Sequence, residues 1–364
     1  MPHIAAFQQP EAWHALCAAR VLHWPFEALS KYSWPDFEHP VQAQLLERQL
    51  RFIANLHPGA ATETTLDLRY LRRPDDKQIE CVLLTKARAA EEAPAREVAS
   101  ALLERADVLL PVGYTLAAVE DEAALQHALG WDIIDAADQP AQWAEIRRRS
   151  EFLLWTDEAL PARYLPVTQT FGWQPAGWEA VWAAMARASQ ASLVSVSLRP
   201  TALSQAEEFV VTDLIHELRT AAAEAKSTLA AAAARAADDY QQALWGLRTP
   251  FAVRVTVVGP TSVQSAVRGA LSGHTAEPHT AGLLVEQISP TAEELSLLRS
   301  NVLSLEQEHW GPAPGHAPNL VPPLNRWRYL CDAAQALCAF RLPLLPPEGL
   351  PGVVVGGEFE PPTH

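Results

Sequence analysis

The chain has 364 residues, of which 49% are hydrophobic and 20% are charged. This composition suits a large buried core divided into two or three domains and argues against disorder of the whole chain. The formal net charge of -15 opposes a sequence-independent grip on phosphate backbones, so direct nucleic-acid binding is not the expected activity.

The cysteines and the N-terminus indicate a cytoplasmic protein. Cys17, Cys81, Cys331 and Cys338 occur without a CxxC pair, in a chain too long to need disulfide staples. We therefore expect reduced thiols, with Cys331 and Cys338 packed on one helix face. The first residues lack the basic start and apolar run of a signal peptide, and about 18 consecutive apolar residues occur nowhere, so no membrane span is expected.

The first part of the chain predicts a helical segment followed by an α/β layer. Residues 1–58 form the N-terminal helical segment, because Val41–Leu56 carries apolar residues at helical spacing. Residues 59–150 form the first α/β layer. In this layer, alternating residues 65–71 and 79–86 predict a hairpin, which a helix and a further strand follow in ββαβ order. Short surface helices are expected at its end, one of them over residues 139–149.

The middle of the chain predicts a strand-helix-strand segment, 151–200, and then a long helical arm, 201–247. No proline or glycine interrupts residues 201–245, and Ser204 with Glu207 forms a capping box at the start. A continuous helix of this length would extend roughly 60 Å, which exceeds an ordinary domain. It should therefore pack against another helix or subunit.

Residues 248–345 predict a second α/β layer that ends in a helix over 324–340. A strand over 251–258 starts the layer, and Thr291 with Glu294 forms a second capping box. Prolines and glycines make 346–364 an extended tail. The predicted fold class is thus α+β, with two ferredoxin-like layers, of ββαβ and βαβα order, joined by a very long helix.

No motif in the sequence predicts a catalytic residue, a cofactor site or a metal site. The stretch beginning at Gly259 (GPTSVQ) follows a strand and opens a helix, as a phosphate-binding loop does. Such a loop needs a second glycine and a lysine, but Val263 and Gln264 stand in their places. The histidines are scattered without partners at metal-ligand spacing.

Aromatic and basic residues offer two interpretations each. Trp178 and Trp182 lie at helical spacing, which is typical of a core, whereas exposed tryptophans would mark a contact surface. Trp310 and Trp327 flank a proline-rich loop. The basic triplet at residues 147–149 is predicted to be a solvated helix end rather than a nucleic-acid patch.

Several stretches resemble the region ahead of the motor domain in HerA-like and conjugative-transfer-type (type IV secretion-like) ATPases. They are SVSLRPTALSQAEEF from Ser195, TPFAVRVTVVGP from Thr249, and LNRWRYLCDAAQALCAFRLPLLPPEGLPGV from Leu324. LDLRYLRRPDDKQIECVLLTK, from Leu66, and PVGYTLAAVED, from Pro111, look like the first α/β layer of the same proteins.

The resemblance implies a non-catalytic N-terminal or accessory module of a hexameric translocase. In that family the FRLP segment is followed by a linker and a P-loop motor, so ATP and Mg²⁺ would bind a separate or missing motor domain. The implied partner is this P-loop ATPase, in a homo- or hetero-oligomer. The interface candidates are Phe340, Arg341, Leu342, Pro343, Trp310, Trp327, Glu207 and Glu208.

Two alternatives stay open at this point. One is a stand-alone scaffold or interaction protein of a defence or mobile-element system without ATP turnover. The other is an enzyme with an unrecognised site, which would show as a deep cleft of titratable groups with shifted pKa values.

Overall fold

The computed structural model describes residues 2–25, 28–29, 41–59, 63–74, 76, 78–157, 160–172, 177–224, 228–272, 284–308, 310, 324, 326–345, 349–350 and 352–359. These residues form a mixed α/β protein built on one large, mainly antiparallel sheet.

The strands and helices alternate along the chain. The strands are β1 (Ile4–Gln9), β2 (Ala12–His23), β3 (Thr64–Arg72), β4 (Gln78–Ala89), β5 (Tyr114–Ala118), β6 (Trp143–Arg148), β7 (Ser150–Asp157), β8 (Leu160–Thr168), β9 (Ser192–Pro200), β10 (Phe251–Val258), β11 (Val285–Ile288), β12 (Leu330–Cys331), β13 (Val354–Val355) and β14 (Gly357–Glu358). The helices are α1 (Val41–Leu56), α2 (Glu92–Leu109), α3 (Glu122–Ala128), α4 (Trp131–Ala136), α5 (Gly177–Arg187), α6 (Gln205–Glu224), α7 (Thr228–Gly246), α8 (Thr261–Ser272), α9 (Leu295–Ser304) and α10 (Ala333–Ala339), with short 3-10 turns at Pro140–Gln142 and Trp327–Tyr329.

Two βαββαβ units joined edge to edge supply eight strands of the main sheet, and the shorter pairings of β1, β12, β13 and β14 add to it. In the first unit, β2, α1, β3, β4, α2 and β5 follow one another, and the strands lie in the order β5-β2-β4-β3. The second unit has the same order, β6, α5, β9, β10, α8 and β11, with β7 and β8 inserted after β6 and with α6 and α7 inserted after β9. Its strands lie in the order β11-β6-β10-β9. Strands β3 and β9 pair antiparallel at the seam. The two units therefore share a single continuous sheet.

One face of this sheet carries the main hydrophobic core. Inward-facing residues of every central strand meet apolar residues of α1, α2, α5 and α8 there. Tyr70 is fully buried, with its ring centroid 5.5 Å from that of Trp178 and 5.7 Å from that of Trp182. The core interpretation of these two tryptophans is confirmed.

The opposite face of the sheet, which we call the polar face, is also covered. Period-two alternation puts charged and hydroxyl side chains there, among them Asp67, Arg69 and Arg254. Helices α3, α4 and α9 pack over part of this face against a smaller apolar cluster. Polar side chains on this face are consequently buried, and they must find partners within the protein.

The predicted long helix is replaced by two helices. Helices α6 and α7 pack against each other, with Leu218 of α6 and Ala237 of α7 in one apolar cluster. Residues 225–227, which separate them, lie outside the described residues. The capping box is present, because Ser204 N donates to Glu207 Oε2 at 2.8 Å and Glu207 N donates to Ser204 Oγ at 3.2 Å. We call this helical hairpin the arm.

The helix predicted over 139–149 is strand β6, buried along its whole length. Arg147 and Arg148 are accordingly buried strand residues and not a solvated helix end. The sequence pattern led to a wrong prediction of a helix because both faces of β6 are covered, so its charged and apolar residues are buried alike. Strand β6 also belongs to the second unit, so the predicted boundary at residue 150 divides that unit.

Three further segments differ from their predictions. Residues 4–23 form the β1-β2 hairpin at the start of the segment predicted as helical. The helix predicted over 324–340 is limited to α10, which Asp332 caps by accepting from Gln335 N at 2.7 Å, and β12 precedes it. The tail contributes β13 and β14, which pair parallel with β4 and β2. In each case, long-range strand pairing outweighs the local preference.

A pair of tryptophan substitutions tests the core. Trp178→Ala should lower the free energy of unfolding by about 3–5 kcal/mol, because it opens a cavity and removes the hydrogen bond of 2.9 Å from Trp178 Nε1 to Cys338 O. Trp245, which is 70% exposed, provides the matched control. Trp245→Ala should change the free energy of unfolding by at most about 0.5 kcal/mol. Urea unfolding followed by circular dichroism measures both, and equal losses would contradict the assignment.

Candidate functional site

A segment that we call the strap, residues 302–308, crosses the polar face and is held there by buried arginines. Arg69 donates to Val302 O and Leu129 O, and its Nε donates to Asp67 Oδ1 at 2.9 Å. Arg254 Nη2 donates to Gln307 O at 2.9 Å. Guanidinium groups stay charged even when buried, so these main-chain acceptors satisfy donors that the sheet itself leaves unpaired.

Glu145 is the anionic centre of the second unit's polar face. Its carboxylate accepts from Arg147 Nε, from Arg254 Nη1 at 3.2 Å and from Trp310 Nε1 at 2.8 Å. Burial alone would raise the pKa of Glu145, but the charges of Arg254 and Arg147 outweigh it and hold the pKa below its ordinary value. This network fixes the chain next to the strap.

A cavity of about 430 Å³ opens beside the strap, between the β1-β2 turn and the polar face. We call it the seam cavity, because residues of β3, β4 and β9 form its floor. The residues that line it are Gln9, Pro10, Glu11, Ala12, His14, Glu63, Thr65, Lys86, Arg88, Arg199, Glu306 and Glu308.

Two buried groups in this cavity share one carboxylate. Lys86 Nζ, on a side chain that is only 3% exposed, bonds to Glu306 Oε1 of the strap. His14 Nδ1 lies 3.5 Å from the same oxygen. Burial lowers the pKa of Lys86, and Glu306 only partly compensates. The pKa of His14 is also lowered, mainly by burial and to a smaller extent by the charge of Lys86, and this favours the neutral imidazole.

Arg199 is the least compensated cation of the seam cavity. Burial lowers its pKa most, and the nearby Arg254 and Arg326 lower it further, against Glu306 and Glu63. Within the described part of the chain, no hydrogen bond or ion pair reaches its guanidinium. Arg199 also lines a second cavity, of about 250 Å³, with Arg254, Gln307 and Arg326.

An unrecognised enzyme was expected to show a deep cleft of titratable groups with shifted pKa values. The seam cavity has one of these features, because it contains titratable groups with lowered pKa values. Sequence reasoning missed Lys86, Arg199 and Glu306. Alternation predicts strands around residues 65–71 and 79–86, but it does not indicate that Lys86 and Arg199 meet in one cavity. The strap that makes them a cavity lies far away in the sequence, and no local pattern indicated it.

The structure places the FRLP candidates in the interior. Phe340, Arg341, Leu342 and Pro343 are all buried. Tyr70 Oη donates to Arg341 O, and Tyr114 Oη donates to Pro343 O at 2.7 Å. The segment therefore serves the protein's own core, at the contact of the two units, and an exposed docking role does not fit its position.

The other interface candidates are divided between the interior and the surface. Trp310 and Trp327 are buried, and Glu207 is buried in contact with Arg326, whose Nη2 donates to Glu207 Oε2 at 2.8 Å. Of the eight candidates, Glu208 alone is exposed. Glu207, Arg326 and Trp327 come together at the base of the arm, whereas Trp310 lies beside Glu145.

The loop that resembles a phosphate-binding motif is filled by its own residues. Gly259 has a φ of +139°, and a Cβ there would lie 2.8 Å from the Ser192 side chain, so glycine is required for the close approach to β9. Gly259 N donates to Gln142 O at 2.8 Å. Gln264 Nε2 donates to Gly259 O at 3.0 Å and to Ala141 O at 2.9 Å.

No family model matches the chain, and no curated protein matches it. Within the described ranges, no cluster of three or more histidine, cysteine or acidic side chains could hold a metal ion. In the same ranges, no helix has the length and apolar character to cross a bilayer. The four cysteines are buried and unpaired, and burial raises the pKa of Cys17 to about 11.

Acid unfolding tests the Glu145 network. Because the folded-state pKa of Glu145 is depressed, its ionised form stabilises the protein fully above about pH 4.5, and this contribution is lost as the pH falls through the lower folded value. Glu145→Gln should cost about 3–5 kcal/mol at pH 7, since it leaves buried guanidinium groups uncompensated. Its unfolding free energy should then fall less steeply between pH 6 and pH 3 than that of the wild type.

Urea titrations at several pH values measure this difference. Exposed Glu293 supplies the control, and Glu293→Gln should follow the wild-type curve. If the unfolding free energies of the wild type and of Glu145→Gln fall in parallel with pH, the proposed role of Glu145 in acid stability is wrong.

Proposed function

We propose that the protein is a non-catalytic docking module of a HerA-like, hexamer-forming P-loop ATPase, and that the arm is its contact surface. The sequence resemblance around Pro200 and Thr201 supplies the family, and the exposed aromatic residues of the arm supply the surface. ATP turnover belongs, in this proposal, to the partner.

The arm carries the observation that supports docking most strongly. Phe209 of α6 is 72% exposed and Trp245 of α7 is 70% exposed. Because α6 and α7 form a hairpin, both residues lie at the end of the arm next to the sheet. Large aromatic side chains are enriched at the centre of protein interfaces, where they bury much area at a low cost in side-chain entropy. They therefore suit a protein partner.

A second apolar feature lies on the β7-β8 hairpin. Leu154 and Tyr164 are cross-strand partners, and both are exposed. The neighbouring residues Trp155 and Leu165 turn the other way and pack into the apolar cluster of the arm. The hairpin and the arm are thus one appendage with a buried interior and apolar groups on its outer surface.

We interpret both βαββαβ units as ferredoxin-like. The order in each unit supports this, because the first and third strands are central and the fourth lies beside the first. This sheet carries helices on one face and α3, α4 and α9 over part of the other, so it forms a firm base for the appendage. Such a base supports the use of the appendage as a fixed docking element. The tandem arrangement replaces the two layers joined by a helix in the sequence prediction.

Reconstitution with HerA-like ATPases encoded beside this gene tests the proposal. The chain should co-elute with one of them in a defined oligomer and change its hydrolysis rate. The double substitution Phe209→Ala and Trp245→Ala should weaken binding at least 30-fold, in line with the loss of about 2 kcal/mol at an interface hot spot. Size-exclusion chromatography with light scattering and calorimetry provide the measurements.

The control keeps the apolar character but changes the location. Val108 on α2 is 83% exposed, and Val108→Ala should leave the affinity unchanged. If no ATPase co-elutes or changes its rate while the wild-type chain is folded, the link to a motor is wrong and a stand-alone scaffold remains. Equal weakening by both variants would contradict the role of the arm.

A further inference from the structure

We infer that the seam cavity is a binding site for one small oxyanion group, a carboxylate or a phosphate, held between Lys86 and Arg199 above Thr65. This inference goes beyond the docking function and depends on different residues.

The floor of the cavity is a cross-strand row of three side chains. Thr65 of β3 pairs with Lys86 of β4. Leu66 pairs with Leu198, so the register puts Thr65 opposite Arg199 of β9. Neighbouring strands lie about 4.8 Å apart, which separates the backbones of Lys86 and Arg199 by roughly 10 Å, with the threonine between them. Two long cationic side chains can converge on one anion across that gap.

Unused donors point into the same space. The Arg199 guanidinium has no hydrogen bond or ion pair within the described residues, and the residue is only partly exposed to solvent. His14 is 2% exposed, and its Nδ1 has no hydrogen-bond partner among those residues. Lys86 has three N–H donors, and Glu306 accepts from it. Buried polar groups in native proteins are normally satisfied. His14 Nδ1, in the tautomer that carries its proton, and the Arg199 guanidinium in the same cavity are donors that an oxyanion ligand can satisfy.

The rim of the cavity limits the size and charge of the ligand. Glu11, Glu63 and Glu308 are exposed there, and the first two lie 3.5 Å from Arg88. Their negative charge repels a polyanion such as a triphosphate or a nucleic-acid backbone. It tolerates a ligand that brings a single oxyanion group to the floor. Arginine and lysine are the usual partners of carboxylate and phosphate oxygens.

Titration of the purified chain with inorganic phosphate and with acetate, at constant ionic strength, tests the site. One of them should bind with a 1:1 stoichiometry and raise the thermal midpoint, since binding to the folded state stabilises it. Arg199→Gln should weaken that binding about tenfold to a hundredfold, and Thr65→Val about threefold to tenfold. The two probes distinguish a phosphate site from a carboxylate site.

Arg20→Gln is the matched control, because Arg20 lies on β2 outside the cavity, with half of its side chain exposed. It should bind the anion as the wild type does. Arg199→Gln should lose the anion-dependent rise in thermal midpoint while remaining folded in chloride, and Thr65→Val decides the question if Arg199→Gln fails to fold.

Three results would overturn the inference. The first is that neither probe binds at millimolar concentration. The second is an equal loss of binding in Arg20→Gln and Arg199→Gln. The third is tighter binding of ATP than of the small anions. Each of these results leaves the docking function unaffected, because the arm variants are tested separately.

Discussion

The arginine side chains that are buried between the polar face and the strap are the constraint on which the covered polar face and the seam cavity depend. Arg69, Arg147 and Arg254 cannot shed their charge, so each needs acceptors inside the protein. The carbonyls of Val302, Gln307 and Trp310 supply them. These contacts connect chain segments more than 50 residues apart. They hold a loop across a sheet face that would otherwise be open to water, and they create the walls of the seam cavity.

Because the strap crosses the place where the two βαββαβ units meet, the candidate site belongs to neither unit alone. Thr65 and Lys86 come from the first unit and Arg199 comes from the second, and the pairing of β3 with β9 aligns these three residues. Glu306 comes from the strap, which follows the second unit in the chain. Each unit could bury its helices separately on the other face of the sheet. A charged row continuous over the seam requires both units in one register, since a slip by one residue would turn Arg199 toward the core.

The sequence predicts elements whose pattern is local and misses those fixed from a distance. The strands around residues 65–71, 79–86 and 251–258 follow from alternation, and both capping boxes form as predicted. Strand β6 was missed because WAEIRR is buried on both faces, which erases the contrast that alternation needs. The division of the arm into two helices was missed because neither proline nor glycine occurs between Ala202 and Trp245. The site was missed because its cover, the strap, is some 240 residues from Thr65.

Arg199 differs from the other buried arginines in a way that connects the cavity to the base of the arm. Arg69 and Arg254 each donate to a carboxylate and to main-chain oxygens. Arg199, by contrast, lies between two cavities with Arg254 and Arg326 as like-charged neighbours. Arg326 in turn holds Glu207 and Thr201 at the start of the arm. An oxyanion at Arg199 would offset the repulsion among the three guanidinium groups, which burial intensifies. A counter-charge would therefore be favourable where the seam, the strap and the base of the arm meet.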